Sequence, residues 1–297
     1  MPESVVVLAN LAAGNGRSRR FAKHAVALLE RDGLAVETVI SRGPGHLAET
    51  AAAEAARGRL RLVALGGDGT LSEVAHGLLS VPGAATTLGI VPLGTGNDFV
   101  KSAGLPRDWQ AACRGLAAGC TPRRIDAGRV NGRWFINGVG LGFDAAIAHA
   151  TRRHKWLPGP LGYAVGLLDA LRAGVGRPVC TLRWDGGEDR RAVTLVAACN
   201  GQYAGGLFRL APDARLDDGR LDIVWADALG RLQVLRHAPS VMRGTHERLP
   251  IAHRARATRF EVTSDVPLPA QADGELLGED LVRLSIELSP GVLRLWT

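Results

Sequence analysis

Apolar positions along this chain follow two rhythms. In the first part, short aliphatic runs at Ser4–Ala9, Ala35–Ile40, 60–65 and 88–91 alternate with stretches of helical spacing. The helices are expected to begin near Arg17, to cover 46–57 and 71–79, and to close around Trp109–Ala118. Strands alternating with helices imply right-handed crossovers and a parallel sheet, with ligands collecting beyond the carboxyl ends of the strands. Near 122–126 the rhythm changes. Val130-Asn131-Gly132-Arg133 is a hairpin signal, because Asn-Gly supplies the positive φ that a tight type I′ turn needs. Runs at 134–139, Val179–Trp184, 192–199, 221–225, 257–263 and 281–288 follow at strand spacing, several separated by turns such as Asp185-Gly186-Gly187 and Asp218-Gly219. This part predicts a largely antiparallel β-sandwich. A length of 297 residues fits two such domains.

The joint between the strand at 60–65 and the helix after it carries the first chemistry. It reads Gly66-Gly67-Asp68-Gly69-Thr70. Glycines let the backbone turn sharply and approach a ligand, and the following helix start offers unpaired N–H groups to an anion. Asp68 is out of place beside phosphate oxygens unless a metal ion bridges them or the carboxylate takes a proton. The plainer reading is a tight turn with a solvated Asp. Two other strands end in loops of the same kind: Asn10 to Gly16, with Arg17, Arg19 and Arg20 in the next helical turn, and Pro92-Leu93-Gly94-Thr95-Gly96-Asn97-Asp98. Cations disfavour a helix start unless an anion is bound there, although a solvated helix start accounts for them equally well. Because each loop follows a strand, all three are expected on one rim of the sheet.

GGDGTLSE at Gly66 to Glu73, PLGTGNDF at Pro92 to Phe99 and DGE at Asp273 to Glu275 together resemble the diacylglycerol kinase catalytic family, which includes sphingosine kinases and bacterial YegS-type lipid kinases. NGVGLGFDA from Asn137, NGQYAGG from Asn200 and APDARLDDGRLDI from Ala211 add to the match, in family order, over most of the chain. The resemblance implies an α/β nucleotide-binding domain over 1–124, a β-sandwich lipid-substrate domain over 125–290, and a tail, 291–297, returning to the first domain. It implies ATP-dependent phosphoryl transfer to a lipid hydroxyl with Mg2+. Such transfer asks for a phosphate cradle, a divalent cation and a proton acceptor. Gly66, Gly67, Gly69 and Thr70 would form the cradle, and Asn10, Ser41, Asp68, Leu71, Ser72, Glu73, Thr95 and Asn97 would also contact nucleotide. Glu275 would take the proton, with Asp68 as rival base. Arg215, Asp218 and Arg220 match positions around a structural magnesium ion, to which the arginines could offer only main-chain carbonyls; a simple turn is the alternative there. NLAAGNG, with Asn10 and Gly14, departs from the family's NPxxG.

The formal net charge of +7 favours anionic partners. With 5% aromatic residues and no basic stretch interleaved with rings, nucleic acid is not expected among them. Cys113, Cys120, Cys180 and Cys199 are dispersed and form no CxxC pair, which predicts reduced thiols in a cytoplasmic protein. MPESVVVLAN reads as a first strand rather than a signal peptide, and no uninterrupted apolar span suits a transmembrane helix. Peripheral membrane contact is expected instead. Two segments are candidates: the cationic Thr151 to Lys155 ahead of an apolar helix at 161–173, and 228–260 with seven arginines and three histidines against Glu247. The alternatives are a packed helix with a basic cap, and one solvated helix with a loop. A homodimer is left open. The competing functions are an NAD kinase, which shares GGDG, and a catalytically idle lipid- or nucleotide-binding protein.

Overall fold

The computed structural model describes residues 4–119, 122–154, 157 and 159–297. Cys120 and Lys155 lie outside the described residues. The chain divides into two compact units, Met1–Asp126 with Gly291–Thr297, and Ala127–Pro290.

In the first unit β1 (Ser4–Ala9), α1 (Arg17–Arg31), β2 (Ala35–Ile40), α2 (His46–Ala56), β3 (Arg61–Gly66), α3 (Asp68–Leu79) and β4 (Thr87–Pro92) alternate, followed by α4 (Asp98–Ser102) and α5 (Trp109–Ala118). The sheet order is β2-β1-β3-β4, all parallel. β1, β3 and β4 are buried along almost their whole length, as strands covered on both faces must be. α1 and α5 close one face through Ala25, Leu29, Cys113 and Leu116 against Val5, Val7, Val63 and Val91. α2 and α3 pack on each other so tightly that a Cβ on Gly77 would stand 2.1 Å from the Ala48 carbonyl oxygen. Residues 291–295 add a fifth parallel strand beside β4, Arg294 opposite Thr87 and Leu295 opposite Leu88, and Trp296 buries its ring behind them.

α3 starts at Asp68, three residues before its apolar spacing begins, so Asp68, Gly69 and Thr70 form its first turn rather than a free loop. The short α4 carries too few residues for periodicity to announce it.

The second unit begins with the predicted hairpin. β5 (Arg123–Val130) and β6 (Arg133–Phe135) meet through Asn131 at φ 46° and Gly132 at φ 87°, the positive values of a type I′ turn. The remaining elements are β7 (Gly138–Gly142), α6 (Phe143–Arg152), α7 (Gly159–Ala173), β8 (Val179–Trp184), β9 (Gly187–Cys199), β10 (Tyr203–Ala204), β11 (Phe208–Arg209), β12 (Leu221–Asp227), α8 (Arg231–Arg243), a single 3-10 turn, β13 (Ala252–Ala257), β14 (Arg259–Ala272) and β15 (Glu275–Leu295), whose last residues are the fifth strand just described. Antiparallel pairing runs β13-β12-β9-β7-β14-β15, with β8 joined to β9 and β14. Phe135, Leu182, Val196, Ile223, Phe260 and Ile286 lie in its core. The mainly antiparallel sandwich expected from strand spacing is what this unit forms.

Three expectations need correction. The run at 134–139 is two strands, broken at Ile136-Asn137, because the Asp273 carboxylate takes the N–H groups of Ile136, Asn137 and Gly138 at 2.8–2.9 Å and bends the chain there. The run at 257–263 straddles a bend at Thr258, whose N–H and hydroxyl both donate to Asp185 and which separates β13 from β14. The segment 228–260 is no single helix and loop: it ends in β13, which pairs with β12 along its full length.

Candidate active site

The three glycine-rich loops of the first unit meet beyond the carboxyl ends of β1, β3 and β4, as their positions after strands predict. They touch through backbone. Leu93 and Gly94 both donate their N–H groups to the Gly66 carbonyl, at 2.7 and 3.1 Å. A Cβ on Gly94 would lie 2.6 Å from Gly67 Cα, and one on Gly14 would lie 2.1 Å from the Leu93 carbonyl oxygen. Contacts that close exclude any side chain, so Gly14 and Gly94 are fixed by packing before any ligand is considered. Asn10 belongs to the same rim: its N–H donates to the Leu65 carbonyl, and its Oδ1 accepts from the Ala12 N–H at 3.0 Å, shaping its own turn. Ser41, just beyond β2, donates its N–H to Ala9 and its hydroxyl to the Gly43 carbonyl.

An anion would find a prepared place here. Gly67 is the N-cap of α3 and no side chain caps that helix. The first-turn N–H groups therefore receive no side-chain acceptor, and the positive end of the helix dipole lies behind them. Gly69 and Thr95 are exposed beside this opening. Asn97 sits at φ 51° and donates its side-chain N–H to the Gly94 carbonyl at 3.1 Å, which fixes the loop that presents Thr95.

Several sequence-derived contacts point elsewhere. Thr70 is buried, its side chain filling the space a Cβ on Gly66 would need, which keeps its hydroxyl inside and leaves only its backbone for the expected cradle. Leu71 and Ser72 are likewise buried in α3. Glu73 turns away and accepts the Leu47 N–H at 2.9 Å, serving the start of α2.

Asp68 is part-buried by accessible area, yet its carboxylate is taken up by the adjoining loop, Oδ1 accepting the Phe99 N–H at 3.2 Å. Burial and the neighbouring Asp98 carboxylate push it up to about 7, against the pull of Lys101 and two backbone N–H groups. Asp98 itself is held by Lys101 Nζ at 2.9 Å. Asp68 thus sits among groups of its own loop and is poised to exchange a proton near neutrality.

In the second unit DGE is a two-residue type I′ hairpin between β14 and β15: Asp273 at φ 49°, Gly274 at φ 81°, Ala272 opposite Glu275. The aspartate holds the broken β6–β7 corner and the turn aims the next residue. Glu275 stands partly exposed at the head of β15 and is ion-paired with Arg152 at the end of α6. This pairing accounts for part of the cationic cluster; His154 is spent likewise, on Asp169 at 2.6 Å. Arg152 carries no motif, and only the shared fold brings it to Glu275.

Behind α6 and α7 the second unit holds an apolar cavity of about 120 Å³, walled by Phe143, Ile147, Leu167, Phe208 and Val241 among others. Asp144 also faces it, buried, raised above the usual carboxylate range by that burial, and accepting from Gln271 Nε2 at 2.7 Å.

Of the three proposed metal positions, Asp218 alone carries a side-chain carboxylate. Asp218 is exposed and its Oδ1 accepts the Arg220 N–H at 3.0 Å, the bond of a simple turn. Among the described residues no group of three or more His, Cys, Asp or Glu side chains could hold a metal ion. A magnesium ion there would draw one carboxylate from Asp218 and would need main-chain carbonyls for the rest of its shell. Cys113, Cys180 and Cys199 are free and buried. Among the described residues no helix is long and apolar enough to cross a membrane.

Comparison with known proteins adds independent observations. Residues 4–130 match the diacylglycerol kinase catalytic domain, and residues 137–297 match the YegS C-terminal NAD kinase beta sandwich-like domain. The chain is 33% identical to a protein of Chromohalobacter salexigens named as a YegS-like lipid kinase, over 94% of this chain and 90% of that one. It is 31% identical to a Mycobacterium tuberculosis protein named diacylglycerol kinase, over 87% and 84%. Among solved structures, a Bacillus anthracis protein described as "a putative diacylglycerol kinase" superposes with a TM-score of 0.83 at 22% identity, covering 99% of this chain and 94% of that one.

Proposed function

The chain belongs to the diacylglycerol kinase family of lipid kinases, and from that premise we propose that it transfers the γ-phosphoryl group of ATP to a hydroxyl of a diacylglycerol-, sphingoid- or glycerophospholipid-type acceptor. The observation that carries this reading is the uncapped start of α3 amid three interlocked glycine loops. Backbone N–H groups there suit the phosphates of a nucleotide, and Thr95 and Ser41 border them. Magnesium would enter as part of MgATP, with the triphosphate supplying oxygens that the protein does not. Glu275 is the proposed proton acceptor and Asp68 the second candidate. Arg152 orients Glu275. A carboxylate is a weak base toward an alcohol, so its proton is taken late, as the phosphoryl group arrives. The apolar cavity suits an acyl chain, and the protein would work at a membrane surface from the cytoplasm.

The test is incubation with labelled ATP and Mg2+ against a lipid panel in mixed micelles and, separately, against NAD, followed by thin-layer separation. Label in at least one lipid supports the proposal. Label only in NADP overturns it in favour of an NAD kinase, and label nowhere favours a binding protein.

A further inference from the structure

α8 has two unlike sides. Its inner side, with Val234, Ala238 and Val241, walls the apolar cavity. Its outer side buries nothing: no residue of the helix is fully buried, Leu232 is 81% exposed, Leu235 43% and Met242 44%. With Pro239 these residues stand at spacings of three, four and three, a single stripe along the helix. Isolated exposed leucines need no explanation, but a stripe of them along a helix otherwise anchored at both ends does. The anchors are definite: Gln233 accepts the Gly230 N–H at 2.8 Å at one end, and Gly244 closes the other at φ 70°.

Charge singles out the occupant. Arg236 and Arg243 flank the stripe, and the helix carries no acidic residue. The nearby acids are already engaged, Glu247 and Asp213 both by Arg254. Among the described residues Arg236 and Arg243 have no ion-pair partner. A second copy of this face laid on the first in a two-fold contact would bring arginine against arginine. An anionic bilayer offers what the face lacks: an apolar boundary for the leucines and phosphates for the arginines.

We propose that the outer face of α8 is the surface on which this protein docks to an anionic lipid bilayer, Leu232, Leu235 and Met242 entering the interface and Arg236 and Arg243 meeting lipid phosphates. The idea takes its use from the lipid-kinase reading but is tested apart from it.

The experiment measures co-sedimentation of the full chain with phosphatidylcholine vesicles, with and without phosphatidylglycerol, beside light scattering of the free protein. Two variants are compared, Leu232→Gln/Leu235→Gln and Arg236→Gln/Arg243→Gln. Wild type binds the phosphatidylglycerol vesicles and is released as salt rises. Each double variant loses about tenfold or more in that binding. Both keep wild-type melting temperatures, and wild-type activity on a short-chain lipid dispersed in detergent. Failure of wild type to bind, or equal binding by the variants, overturns the proposal. So does a dimer that the leucine variant dissociates, since the face then belongs to a second copy. Loss of vesicle binding in the variants of a protein that phosphorylates no lipid upholds the docking face and refutes the lipid-kinase reading.

Discussion

Asp68 and Glu275 are both carboxylates, and their surroundings treat them differently. Burial beside Asp98 raises Asp68 to about 7, while an unfolded aspartate titrates near 3.9. Between these values the folded chain keeps a proton that the unfolded chain has lost, so this group's contribution to stability falls as pH rises through the window. Asp68→Asn removes that dependence. The variant's melting temperature should gain on wild type between about pH 5 and about pH 8, and parallel curves in a thermal titration would refute the assignment. If Asp68 accepts the proton, kcat/KM in wild type climbs through about pH 7. Glu275 is instead an accessible residue in an ion pair whose side chains are 34% and 43% exposed. Such a pair adds at most about 1 kcal/mol to stability. Arg152→Met should therefore leave chemical denaturation nearly unchanged while lowering turnover, and Glu275→Gln should cut turnover by roughly 100-fold or more. Full activity in both variants would remove the pair from the reaction.

At the scale of elements, glycine contacts bind the site together. Gly94→Ala places a methyl group 2.6 Å from Gly67 Cα and 2.7 Å from Asn97 Oδ1, and neither backbone nor capping residue can yield freely. A loss of about 1–3 kcal/mol is expected from forced repacking, together with weakened nucleotide affinity by calorimetry. Gly115, exposed in α5 with open space around its would-be Cβ, is the contrast. Gly115→Ala should stabilise by about 0.5–1 kcal/mol. The same pair of glycines shows what a sequence can and cannot disclose. A Gly-rich loop after a strand is legible, because strand rhythm and glycine freedom are local properties. That Gly67 faces Gly94 is not, because their contact is made by the parallel pairing of β3 with β4. Asp273 is the sharper case. Its motif is readable as a turn, and the type I′ geometry bears that out, but its grip on Ile136, Asn137 and Gly138 spans 135 residues or more of chain. Glu73 misleads for the same reason: its sequence neighbours belong to the glycine-rich motif, while its partner is the distant Leu47 N–H.

For the whole molecule, chain order and structural units disagree at one place. Residues 291–297 follow the entire second unit in sequence and belong to the first. Strand rhythm alone gives no hint of this, since 281–288 and 291–295 are parts of one long strand, β15, with antiparallel β14 beside it early and parallel β4 late. The returning segment is bound by more than edge pairing. Leu293, Leu295 and Trp296 are almost wholly buried, and the Trp296 N–H donates to the Leu88 carbonyl at 2.9 Å. At about 1.5–3 kcal/mol for each large apolar side chain removed from water, the segment supplies an amount comparable with the whole stability of an ordinary domain, about 5–15 kcal/mol. A chain ending at Pro290 should consequently keep a folded sandwich and lose the first unit. Limited proteolysis read by mass spectrometry should then cut within 4–126 and spare 127–290. A fragment of residues 1–126 should stay unfolded alone, and fusing 291–297 to it through a flexible linker should restore cooperative melting. Cooperative melting of the fragment without that segment would show that the first unit closes its own core.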